Sequence, residues 1–213
     1  MKNLAKLLTL LLVFTGMNCF AQKSDFPASV LLGLEQCKKA ENSEDAAKVA
    51  TYFESIAKTA TKEWTPSYYA AYCNLYAGLL TTDKAVKDQY WDKALLEIDQ
   101  ADAISANNSE IYALKGYLQF MKMSISPMSR MNYMAESAES MEKAAAINPE
   151  NPRIYLIKGQ DIYYTPEAYG GGPAKAKSLL ETAVSKFATF KPVKAVDPNW
   201  GADLAVKLVA KCN

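Results

Sequence analysis

The chain has 213 residues, half of them hydrophobic, and 24 Lys and Arg against 23 Asp and Glu, for a formal net charge of +1. That is enough apolar material for a sizeable core in one domain, and the even charge balance favours neither nucleic acid nor an anionic membrane surface as partner. Histidine is absent, which excludes Ser-His-Asp and Cys-His catalysis and every His-containing zinc site.

The chain begins with a targeting pattern. Lys2 and Lys6 precede an apolar stretch, Leu7 to Phe14, and Ala21 stands before Gln22 at the expected cut. The stretch is too short to span a bilayer, so residues 1–21 read as a cleaved signal peptide. The protein is then exported, periplasmic or secreted, with no transmembrane helix in its mature form. Cys19 offers lipidation as the alternative, but Asn18 occupies the position where a lipobox carries a small residue. Cys37, Cys73 and Cys212 remain after cleavage. An odd number cannot pair completely, and all three read as small buried apolar residues.

Residues 22–213 form the expected helical domain. Asp25 and Pro27 open a first helix with Phe26, Val30, Leu34 and Cys37 on one face. Glu41-Asn42-Ser43 ends it, and a second helix buries Val49, Ala50, Phe53, Ile56 and Ala57. A repeat follows. Pro66–Cys73, Ser109–Gly116 and Pro152–Gly159 are versions of one stretch, their starts 43 residues apart. Each carries a tyrosine (Tyr69, Tyr112, Tyr155) four residues before a small residue (Cys73, Gly116, Gly159). Four residues apart is one helical turn, so the small residue admits a partner helix and the ring fills the space beside it. A second stripe, Ala94-Ile98-Ala101, recurs as Ser137-Met141-Ala144 and as Ala176-Leu180-Ala183. Second helices are expected to open at Thr82-Asp83, Ser126-Pro127 and Gly172-Pro173.

The repeating unit is therefore a helix pair, and a fixed period of this size marks stacked repeats. The fold class expected is all-α: an α-solenoid of about four antiparallel helix pairs, with units at 66–107, 109–149 and 152–187 and a capping helix over 198–212. The cap would present Trp200, Leu204, Leu208 and Cys212 inward.

The tyrosine, the lysine-glycine pair, the later small–large–small stripe and Ile147-Asn148-Pro149 resemble the tetratricopeptide repeat. Cys73 and Ala106 depart from its usual glycine and proline, and the period exceeds that family's ~34 residues. The resemblance implies a scaffold whose first helices line a concave groove. It would place Asn74, Tyr117, Phe120, Gln160 and Tyr163 in that groove, flanked by Glu110 and Arg153.

On this reading the protein is a non-enzymatic exported adaptor that holds a protein or peptide partner. The alternative is a small-molecule or anion-binding carrier component of an envelope transport system. Its candidate site is the turn Gly170-Gly171-Gly172 with Lys175 beside it, where glycine amides precede a helix N-terminus. The competing reading of that turn is a tight helix connection. No catalytic residues, metal site or cofactor are expected. Met121, Met123, Met128, Met131, Met134 and Met141 read as core filling around a longer loop, or as an adaptable surface.

Overall fold

The computed structural model describes residues 25–212. The expected signal segment, with Cys19 and Ala21, lies outside the described residues. Among them the chain is all-α, without strands: α1 (Phe26–Lys38), α2 (Ser43–Thr59), α3 (Thr65–Leu80), α4 (Lys84–Ile104), α5 (Ser109–Ile125), α6 (Asn132–Ile147), α7 (Pro152–Tyr164), α8 (Pro173–Thr189) and α9 (Ala202–Ala210). No helix among the described residues is long and apolar enough to cross a membrane.

Short polar side chains set the helix starts. Asn42, Asp83, Asn108 and Asn151 each accept a hydrogen bond from a first-turn amide, which satisfies a donor the helix leaves free. One expected start is displaced. Ser126-Pro127 opens only a single 3-10 turn, Pro127–Ser129, and α6 begins at Asn132. Of the methionines around this connection, Met141 is buried, whereas Met128, Met131 and Met134 are exposed.

Consecutive helices pack as pairs, and α1, α3, α5 and α7 also touch in sequence, forming one row. The repeated stripes make the core: Ala94, Ile98, Ala101, Met141, Ala144, Ala176, Leu180 and Ala183 are all buried. Close approach within each pair uses a glycine. A Cβ on Gly159 would lie 2.6 Å from Leu180 Cδ2, and one on Gly116 would lie 2.9 Å from Met141 Cε. In α3 this contact falls not to Cys73 but to Gly78, against the Trp91 indole.

The period also appears as contacts between repeats. Arg153 pairs with Glu110 at 2.9 Å and Gln160 donates to the Tyr117 hydroxyl at 3.3 Å, each pair 43 residues apart. Lys143 sits 4.0 Å above the Tyr112 ring and Lys186 sits 4.9 Å above that of Tyr155, one period on.

The C-terminal segment departs from expectation. The last helix starts at Ala202, and residues 190–201 form no helix. They run back past the N-terminal ends of α7, α5 and α3. Only then does α9 pack Ala205 and Leu208 with Leu156, Leu180 and Ala183. Trp200 precedes that helix but still packs inward, with Leu208 and the partly buried Cys212, whereas Leu204 is 38% exposed, so the expected four-residue inward stripe loses Leu204.

Candidate functional site

The returning segment is pinned at three points. Tyr69 donates its hydroxyl to the Val196 carbonyl at 3.0 Å, and Trp200 donates its indole N–H to the Tyr68 hydroxyl at 3.0 Å. Arg153 donates to the Pro198 carbonyl at 2.8 Å. Arg153 is 0% exposed, and its guanidinium faces the rings of Phe187, Phe190 and Trp200 at 5.6, 4.8 and 5.1 Å. A buried cation is tolerated there because a carboxylate, a carbonyl and three π-faces replace its water. Burial pushes the Glu110 carboxyl up, and the Arg153 charge pulls it partly back.

Between this segment, α1, α3 and α9 lies a cleft of about 730 Å³, within the range of small-molecule sites, ~300–1,000 Å³. Its floor is Tyr69, Tyr72 and Tyr76 of α3. One wall is Leu31 and Leu34 of α1; the other is Trp200 and Leu204. The Tyr72 and Trp200 rings stack with centroids 4.9 Å apart, and burial holds the Tyr72 phenol well above its ordinary range. At the rim, Lys38 is bound to Glu35 at 2.8 Å, and Lys207 makes no ion pair among the described residues. The cleft is thus aromatic inside, and its lining carries charges of both signs, Lys38 and Lys207 with Glu35, Asp197 and Asp203.

Most of the residues singled out from sequence lie elsewhere. Asn74, Tyr117 and Gln160 are buried between repeats. Phe120 and Tyr163 are half-buried, and Tyr163 packs edge-on against Tyr164 at 4.9 Å. Glu110 and Arg153 clamp the returning segment. Of the repeat tyrosines, Tyr69 lines the cleft, Tyr112 is buried and Tyr155 is half-buried.

The glycine turn is closed on itself. The amides of Gly170, Gly171 and Gly172 donate to the carbonyls of Glu167, Pro166 and Ile162 at 2.9, 3.2 and 2.9 Å, and Lys175 Nζ donates to the Gly170 carbonyl at 3.1 Å. Gly170 and Gly172 take φ of 87° and 105°, a region that favours glycine. With its donors satisfied internally, the turn is a helix connection and offers no amides to an anion. Sequence reasoning passed over Leu31, Leu34, Tyr72, Tyr76 and Lys207, because a cleft built by a non-repeating segment leaves no periodic trace.

No family model matches the chain, and no curated protein matches it. Solved structures do match it. The HusA haemophore from Porphyromonas gingivalis is 28% identical, with 90% of this chain and 94% of that chain covered and a TM-score of 0.77. The expectation of an adaptor holding a peptide or protein partner is corrected by this match, since a haemophore is a small-molecule carrier. The packing gives the physical reason: Asn74 is buried, Tyr117 and Gln160 bond each other between repeats, and Glu110 and Arg153 are spent on the returning segment.

Proposed function

We propose that the protein is an exported, non-enzymatic carrier whose cargo is haem or a closely similar flat tetrapyrrole, bound in the cleft between α1, α3, α9 and the returning segment. The observation that carries this reading is the stacked Tyr72–Trp200 pair in an apolar cleft of small-molecule size. The match to the haemophore along both chains supports it. A flat aromatic macrocycle is recognised by rings on its faces and apolar side chains at its edge. Lys207, which makes no ion pair among the described residues, suits a carboxylate of such a ligand. The chain has no histidine, so a protein ligand to the cargo iron at this cleft would come from one of its tyrosines. Stacking and burial supply the rest of the affinity. The helix pairs, tetratricopeptide-like in pattern, serve as a rigid frame rather than as the recognition surface.

The test is a haemin titration of the mature protein followed by absorbance, with Trp200→Ala and Tyr72→Ala alongside. Saturable binding is expected, weakened on the order of tenfold by Trp200→Ala. Binding that is absent, or indifferent to both substitutions, would overturn the assignment.

A further inference from the structure

The α1 wall of the cleft meets α3 through two sulfurs. Cys73 Sγ lies 3.0 Å from Cys37 Sγ, inside the ~3.5–4.0 Å at which even carbon atoms pack. Cys73 is 0% and Cys37 6% exposed, and both belong to the main core. The third described cysteine, Cys212, packs in a different cluster with α7, α8 and α9, so neither sulfur has a competing partner among the described residues. Cys37 also borders the cleft, which gives a reagent one route to the pair.

We propose that Cys37 and Cys73 are joined as a disulfide in the exported protein, stapling α1 to α3 and fixing one wall of the cargo cleft. The compartment rests on the export reading above; the cross-link does not depend on which cargo is bound. Disulfides persist in exported proteins because no glutathione pool reduces them. Thiol–disulfide exchange needs a thiolate, and Cys37 is the more acidic thiol of the pair. The hydrogen bond from Cys73 lowers the Cys37 thiol below its usual range, while burial raises Cys73.

The oxidant is a disulfide-bearing exchange catalyst of the export compartment. Cys37 thiolate attacks one catalyst sulfur, the catalyst S–S bond breaks, and a mixed disulfide forms. Cys73 then loses its proton and attacks Cys37 Sγ, which expels the second catalyst thiolate. Two electrons and two protons leave with the catalyst as its dithiol, and one intramolecular S–S bond remains.

The test uses the full chain secreted through an oxidising compartment. The protein is unfolded in iodoacetamide without reductant, digested and weighed. The expected result is a linked pair of peptides holding Cys37 and Cys73, two hydrogens lighter than the separate thiols, with Cys212 alkylated. Recovery of Cys37 and Cys73 both alkylated would overturn the proposal. A second measurement compares melts: the oxidised protein should melt on the order of 10 °C above the same protein in dithiothreitol, and Cys37→Ser, as the control, should melt alike in both conditions. An oxidised melt that reductant leaves unmoved would refute the staple. The peptide map involves no cargo, so a chain that failed to take up haemin would still be judged by it.

Discussion

Glu110 and Arg153 stand one period apart and meet, whereas Val196 and Trp200 reach α3 across 127 and 132 residues with no counterpart one period away. Contact at this spacing also joins Gln160 to Tyr117, and contacts between neighbouring repeats build a frame. The second kind is made once, and it turns an open face into a cleft. On the proposed function, stability and cargo recognition fall to different stretches of one chain, with Arg153 belonging to both.

Substitution at that junction should have the largest effect. Arg153→Ala removes the cation between Glu110 and Pro198 and leaves a buried carboxylate unpaired, a loss of about 3–5 kcal/mol. Melting should fall by roughly 10 °C, and haemin affinity should fall with it. A variant that melts normally would show that frame and strap are independent. Gly159→Leu tests the frame alone. Its side chain collides with Leu180, so a cost of about 1–3 kcal/mol is expected, measured as a lower Tm with unchanged haemin affinity.

The smallest effect lies in α4, away from the cleft. Burial first, then the neighbouring Glu54, raise the Glu97 carboxyl to about 7, with Lys58 opposing. Its folded value exceeds its unfolded value of ~4.3. The protonated group's contribution is therefore full below that lower value and is lost as pH rises through about 7. Glu97→Gln should raise Tm slightly at pH 8, leave it unchanged at pH 4 and not alter haemin binding. Equal effects at both pH values would contradict that assignment.

The same division explains what could be read from the residues. The helices, their pairing and the buried stripes follow from spacing, because Ala94, Ile98 and Ala101 must return to one face in every copy. The cleft does not follow. Residues 190–201 have no period, and their destination depends on Arg153 finding the Pro198 carbonyl and Trp200 finding Tyr68, partners that no local rule names. Tyr117 and Gln160 illustrate the ambiguity. Their 43-residue spacing is as consistent with touching each other across a repeat boundary as with sharing a ligand surface, and the structure brings them together. Cys37 and Cys73 lie outside any common spacing, so their approach emerges only when α1 packs on α3.

The bond from Trp200 to Tyr68 joins residues made early to residues made almost last. Long-range closure of this kind is slow and comes after local helix pairing. A chain can stack its hairpins before residues 190–201 have returned to α3 and α7, but until then the cleft lacks the wall that Trp200 supplies. Under the proposed function, cargo uptake would therefore come last, and a product clipped before residue 196 would keep its hairpins but fail to bind haemin.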